Sequence, residues 1–544
     1  TIVNNDGVGE GVNSTTPVSP VGGNPGTTLG AQRLFVFQTA ASIWGALLPS
    51  TVEIRVNAQF NPQTCDATSA VLGSAGAATN ISGFAGAEVA NTWYPIALAN
   101  RMAGVDLAVG TNDINAQFNS TLDNGTCLGG TTWYYGVDGN EGSLIELLPV
   151  VLHELGHGLG FISTTSLATG ALLSNRPNIY ERNLLDRSLG VAGTAWPAMT
   201  NMQRVAAAVN TNNLVWTGSA VKTVAPTMLG PRVDLVITAP AAIAGSKTFG
   251  TAQFGPPASE ANISGEIVLV DDEVAPVEDA CEGIVNGAAV SGKIALIDRG
   301  LCPFVDKAAN AAAAGAIAVL IANNVAGAPP AMGGDLPGLL IPVVSISQAD
   351  GDAIKAQLAG GPVTMTLGPN PAFFAGADDD GRLRLFAPNP SQPGSSVSHW
   401  DTSAEPSLLM EPFITDSLTN DVDLTQFAFE DIGWFSPRTT DSPGDAMPLR
   451  LALATGRPNP FAGRTSIAFE LPRAGRAALV VYDVSGRTIK HLLDAEMPAG
   501  RHAVTWDATD DRGGKVTPGV YFYRLKSGGA EGSKSVIYVT PDGR

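Results

Sequence analysis

Basic side chains are scarce in this sequence: 31 Lys and Arg stand against 50 Asp and Glu, for a formal net charge of −19. Phosphate backbones and anionic membranes repel so acidic a chain, and both drop out as expected partners. Long apolar runs are missing too. The longest, Ala311 to Ala322 between Asn310 and Asn323, falls short of the roughly 20 residues a membrane-spanning helix needs and reads as a buried helix and strand. Cysteine is limited to four residues, none in the CxxC spacing of a zinc or redox motif. Cys65 with Cys127 and Cys281 with Cys302 are expected as two local disulfides made in an oxidising compartment, with free thiols as the alternative. No charged and apolar leader precedes Thr1, so any signal or pro-segment is expected to have been removed or to lie outside the sequence. These deficits fit a secreted, extracellular chain. Histidine is rare as well: His153, His157, His399, His491 and His502 are the whole supply.

Two of those five fall in one stretch, VVLHELGHGLGFI, Val150 to Ile162. Their spacing of four places both imidazoles on one helix face, one turn apart, as gripping a single metal ion requires. Leu148, Val151, Leu152, Leu155 and Leu159 gather on the opposite face, so one side is core and the other is site. Gly156 and Gly160 each cost a helix about 1 kcal/mol relative to alanine. Close approach of other segments to a metal centre would compensate. Ser143 and Glu146 could form a capping box, and Pro149 should start or kink the helix. Zinc held by three protein ligands keeps a position for water and lowers its pKa to about 7. Glu154, between the histidines, is then the expected general base, and afterwards the acid toward the leaving amine.

Residues 1–28, rich in Gly, Pro, Asn and Thr, read as an irregular lead-in. Leu34, Phe37, Ile43, Trp44 and Leu47 recur at helical spacing between Gly30 and Leu48. Thr51 to Phe60 alternates as a strand, and Asp113 to Ser120 reads as a strand polar enough to be an edge. Helix, strands, then the histidine helix is an α+β order. Glycosylation triplets stand at Asn80, Asn119 and Asn124.

HELGHGLGF resembles the start of the metzincin zinc-peptidase signature, HExxHxxGxxH, with Ser163 at the position of the third histidine. His399-Trp400, followed by Met410, resembles the third ligand and Met-turn of leishmanolysin-like metzincins, which tolerate insertions before that ligand. The resemblance implies His153, His157 and His399 around one zinc ion, with Met410 as an apolar floor beneath it. LTQFAFEDIGWF resembles the closing helix of that fold, and the strand at Asp113 to Ser120 the cleft-edge strand that pairs with extended substrate. The rival third ligand is Glu181, in the manner of thermolysin-like enzymes, although Asp186 does not complete their ExxxD pattern. Cobalt or manganese would also bind such a site.

Between 231 and 367, SGKIALIDRGLCPFVDKAANAAAAGAIAVLIANN and IPVVSISQADGDAIKAQL closely resemble a protease-associated (PA) domain, an α/β module. The resemblance implies binding of substrates or partners, or cover for an active site; a spacer is the alternative. No nucleophile and base pair or metal cluster is read in it. Residues 437–447 read as a linker, and 448–544 as an all-β sandwich, similar to flagellar hook-cap Ig-like and type IX secretion sorting domains. That similarity implies export or surface attachment; a simple stalk module is the alternative. His491 and His502 are assigned there to surface or packing. Asp507, Asp510 and Asp511 are expected to form a solvated turn rather than a structural calcium site.

The expected architecture is therefore multidomain. A metzincin-type α+β catalytic domain, 29–230 and 368–436, is split by an inserted PA domain and followed by an Ig-like β-sandwich. The expected activity is that of a secreted zinc metalloendopeptidase acting on protein or peptide substrates. The competing expectation is a non-catalytic surface adhesion protein on a peptidase-derived fold.

Overall fold

In Ile114–Asn119 the apolar side chains Ile114, Ala116 and Phe118 are buried, while Asn115 and Gln117 are exposed. The strand lies inside a four-stranded sheet ordered Ile2–Asn4, Val56–Asn61, Ile114–Asn119, Gly73–Ala77. Its neighbour on one side is parallel and on the other antiparallel. This corrects the expected edge: the strand's polarity marks a solvent-facing surface of the sheet, where Asn115 accepts a 3.0 Å bond from Asn57. The free edge belongs to Gly73–Ala77. The supposed lead-in likewise contributes a strand, Ile2–Asn4, at the far edge. Regular pairing in the second strand begins at Val56, later than the alternation suggested.

The computed structural model describes residues 1–414 and 422–435 and, beyond them, 452–453, 461, 464–471, 475–483, 486–497, 500–528 and 530–538. The expected linker, 437–447, lies outside the described residues. The chain divides into two compact units between Phe435 and Ser436.

Within the first unit, the helices Leu29–Leu47 and Leu147–Leu159 pack together, and the Trp44 indole donates to the Leu152 carbonyl at 3.0 Å. The histidine helix starts without the expected capping box. Ile145–Glu146 pairs with Trp133–Tyr134, which keeps Glu146 extended as the N-cap, and no side chain caps the helix. Pro149 falls in the first turn, where its missing N–H costs nothing. Cys65–Cys127 and Cys281–Cys302 are both disulfides. Asn119 is buried, with its amide bonded to Val71 and its carbonyl to Gln63 and Thr121, so that glycosylation triplet is closed in the folded chain.

The inserted segment builds an eight-stranded sheet in the order Gly245–Lys247, Pro231–Ala239, Val363–Phe374, Ile263–Leu269, Ile294–Asp298, Ala318–Ala322, Val343–Ile346, Phe249–Thr251. The run from Ile263–Leu269 to Val343–Ile346 is parallel. Alternate residues of Ile294–Asp298 enter two separate apolar clusters, so both faces are covered, as parallel sheets require. Pro231 pairs with Phe374, so the segment enters and leaves at one point, and its last strand runs on past 367. Contrary to expectation, this segment does gather Asp272, Asp279 and Glu282. The Asp279 carboxylate already faces the buried Lys307 ammonium at 3.7 Å, so the group carries its own cation.

In the second unit, a sheet of Ala452–Leu453, Thr465–Leu471 and Gly500–Trp506 shares one core with a four-stranded sheet centred on Gly475–Tyr482 and Gly519–Ser527. That is the expected β-sandwich. His491 bonds Asp511 at 2.7 Å, and the His502 ring lies 5.4 Å from that of Phe469. The carboxylates of Asp507, Asp510 and Asp511 accept from Thr509, Arg512 and His491, a hydrogen-bonded turn. Among the described residues, no helix is long and apolar enough to cross a membrane.

After the insert, the chain closes the first unit through the turn Leu408 to Glu411 and the helix Thr425–Asp431. The Glu411 carboxyl accepts the Leu408 N–H at 2.9 Å. Burial, with Asp423, Asp401 and Glu405 nearby, pushes it up to about 8.

Two measurements test this account. Replacing Cys65 and Cys127 together by serine opens a loop with a sequence separation of 62, which should cost about 4 kcal/mol in denaturant unfolding. A loss below about 1 kcal/mol would mean that the bond constrains little. For Glu411, the fold favours the protonated form, so stability is complete below the ordinary value of 4.5 and is lost as pH rises toward about 8. Between pH 5 and 8 the wild type should therefore lose on the order of 1–3 kcal/mol relative to Glu411→Gln. A pH-independent difference would refute the shift.

Candidate metal centre

His153 and His157 project from one face of the histidine helix, as their spacing requires. Gly156, on the turn between them, has the Met410 sulfur 2.7 Å from where a Cβ would stand, so a side chain there would push the methionine off the helix. Gly160 ends the helix at φ +127° and turns the chain away. Where the signature would continue to a third histidine, Ser163 instead donates its N–H to the Ser398 hydroxyl, the neighbour of His399.

His399 is carried by the segment that returns from the insert. Leu385 bridges to Trp400, and the Phe386 N–H donates to the His399 carbonyl at 2.9 Å. Val397 sits fully buried at φ +72°, a costly conformation for a β-branched residue. Hydrogen bonds from its N–H to Phe386 and from the Tyr180 hydroxyl to its carbonyl hold it there.

The three imidazoles meet. The Nε2 of His399 lies 3.1 Å from that of His153 and 3.2 Å from that of His157. Each Nδ1 faces a backbone carbonyl: Leu409 for His153 and Phe161 for His157, both at 2.7 Å, and Ser395 for His399 at 2.8 Å. A carbonyl only accepts, so every Nδ1 carries the proton and every Nε2 turns a lone pair inward. Three lone pairs aimed at one another repel unless a cation lies among them, and this donor set suits a divalent metal with imidazole ligands. Burial lowers His153 to about 4 and His157 to about 3, and holds His399 well below the usual imidazole range, with neighbouring imidazoles adding to the last two. All three are therefore neutral, the form that binds metal. His153 keeps part of its surface open, whereas His157 and His399 are buried.

Glu154 lies on the side toward the sheet. Burial pushes its carboxyl up to about 8, opposed by a hydrogen bond from the Ala75 N–H. Ala75 belongs to the edge strand Gly73–Ala77, which the sequence reading missed because GSAGA offers no apolar alternation. Met410 is fully buried under the histidine helix, and its carbonyl accepts the Trp400 N–H at 2.8 Å.

Glu181 stands apart from the triad. It is buried, and its Oε1 accepts bonds from Ser163, Thr164 and Thr165 while its Oε2 accepts the Asn178 N–H. With both oxygens engaged, it organises the loop after the histidine helix, and the rival ligand assignment is corrected accordingly. Among the described residues, the only grouping of ligating side chains besides the triad is the Asp272 cluster of the insert.

Comparison with known proteins bears on the flanking modules. The PA domain family matches residues 263–354, and the FlgD Ig-like domain family matches 457–531. The PA and FlgD-type Ig-like resemblances expected for those regions are met, and the histidine helix and His399 lie outside both ranges. No curated protein matches the chain. Among solved structures, an aminopeptidase from Aneurinibacillus sp. strain AM-1 is 32% identical over 26% of this chain and 30% of its own, with a TM-score of 0.20. BSAP, a zinc aminopeptidase from Bacillus subtilis, is 25% identical over 27% of this chain and 35% of its own, with a TM-score of 0.19. FLGD from P. aeruginosa is 20% identical over 14% of this chain and 58% of its own, with a TM-score of 0.12. The chain thus spans about a third of the length of the aminopeptidases it matches.

Proposed function

We propose that this chain is a secreted zinc metalloendopeptidase with a metzincin-type catalytic domain, hydrolysing peptide bonds in protein substrates. The observation that carries this reading is the convergence of three Nε2 lone pairs beside a buried glutamate. His153, His157 and His399 would hold one zinc ion. When bound, zinc supplies the Lewis acidity that makes water nucleophilic near neutral pH. Glu154 takes the proton of the attacking water and delivers it to the leaving nitrogen, a role its carboxylate can fill once the cation beside it favours the ionised form. The outer side of Gly73–Ala77 pairs with no other strand among the described residues, and an extended substrate would lie along it. Met410 serves as the apolar floor. The two disulfides support an extracellular setting, and the Ig-like unit would serve export or surface attachment.

The purified chain should bind about one zinc ion and digest casein or gelatin, with loss of activity in chelator and recovery on adding zinc. Glu154→Gln should keep the zinc and lose about 10²–10⁴-fold in rate, whereas His399→Ala should lose the zinc itself. Hydrolysis that survives Glu154→Gln would discard the mechanism, and zinc binding without any hydrolysis in the wild type would favour the adhesion alternative.

A further inference from the structure

The three metal-facing imidazoles are not held in the same way. His157 and His399 each donate Nδ1–H to a carbonyl four residues away in their own segment, so local folding sets both rings. His153 donates to the Leu409 carbonyl, 256 residues distant. Its orientation is therefore only as fixed as Leu409. The turn around Leu409 is pinned by the Leu408 N–H to Glu411 at 2.9 Å and by the Trp400 N–H to the Met410 carbonyl at 2.8 Å. Leu409 itself is gripped from a further segment: its N–H donates to the Asp423 Oδ2. Asp423 stands before the closing helix at φ +42°, and its other oxygen accepts the Thr425 N–H and hydroxyl, each at 3.0 Å. One carboxylate thus ties the start of the closing helix to the residue that aims His153.

We infer that Asp423 is a positioning residue for the metal centre, fixing Leu409 so that its carbonyl holds His153 with Nε2 turned toward the other two imidazoles. The inference rests on the metal-centre reading above but not on hydrolysis. Partners that orient a metal-binding histidine contribute about 10–100-fold to metal affinity, and a carboxylate acting at one remove should show the lower part of that range.

The test uses the full-length chain and zinc itself. Zinc affinity is measured by competition with a chromophoric chelator, and the cobalt-substituted protein gives a visible spectrum that reports the geometry of the ligands. Asp423→Ala should weaken zinc binding by about tenfold or more and alter the cobalt spectrum. Asp423→Asn, which keeps a carbonyl acceptor for the Leu409 N–H, should recover most of both. Thr425→Val removes only the hydroxyl bond to Asp423 and should bind zinc like the wild type. Zinc affinity within about twofold of wild type in folded Asp423→Ala, with an unchanged cobalt spectrum, overturns the inference and leaves Asp423 as a local tie before the closing helix. If Asp423→Ala does not fold, the same comparison is made on Asp423→Ser, whose shorter side chain withdraws the acceptor from the Leu409 N–H, and zinc affinity and a cobalt spectrum equal to wild type overturn it likewise. A wild-type chain that takes up no zinc removes the metal centre and this inference together. A zinc-binding wild type with no hydrolysis removes only the peptidase reading.

Discussion

The first unit is organised around an electrostatic conflict. Three neutral imidazoles turn unprotonated nitrogens toward one point, at separations of 3.1 and 3.2 Å, after surrendering their protons outward to carbonyls. Nothing in apolar packing would assemble such a group, since each imidazole gives up water and gains no partner for its inward nitrogen. A divalent cation placed among them would resolve the arrangement. The surrounding structure can be understood as what it takes to hold that arrangement: glycine where Met410 presses on the helix, a left-handed Val397 held at both ends, and a glutamate kept dry beside an exposed sheet edge.

How much of this could be read from the sequence depended on how local each feature was. The histidine helix was legible because its meaning lies in a four-residue spacing. His399 was reached through its resemblance to a known pattern, His-Trp followed by Met, and the scarcity of histidine made the match selective. The parallel strands of the insert announced themselves as apolar runs buried on both faces. The edge strand did not: Gly73–Ala77 has no side chains large enough to form a pattern, and its place at the edge follows only from which strands pair. Polarity in Ile114–Asn119 was misread for a related reason, since an exposed face and an exposed edge leave the same mark on composition. Glu181 and Ser163 show a third limit. A buried carboxylate surrounded by hydroxyls and amides is indistinguishable in sequence from a metal ligand until its hydrogen-bond partners are known.

The two flanking modules sit differently in the chain. The Ig-like unit follows the first in sequence and interrupts nothing. The PA segment falls inside the histidine triad, within the 242 positions that separate His157 from His399. The two parts of the site can nevertheless be joined because the segment's first and last strands lie side by side, with Pro231 opposite Phe374.

That pairing has a consequence for the order in which the chain can organise itself. While the insert is unfolded, bringing His399 back to the helix means closing a very long flexible loop, with an entropic cost that grows with the logarithm of its length. Once the insert's own sheet has formed, the connection is topologically a hairpin, and the rest of the chain meets it as though it were a tight bend. The largest interruption in the sequence then becomes one of its shortest paths through space, and the meeting of His399 with the two helix histidines becomes a late event that waits on a neighbour taking shape.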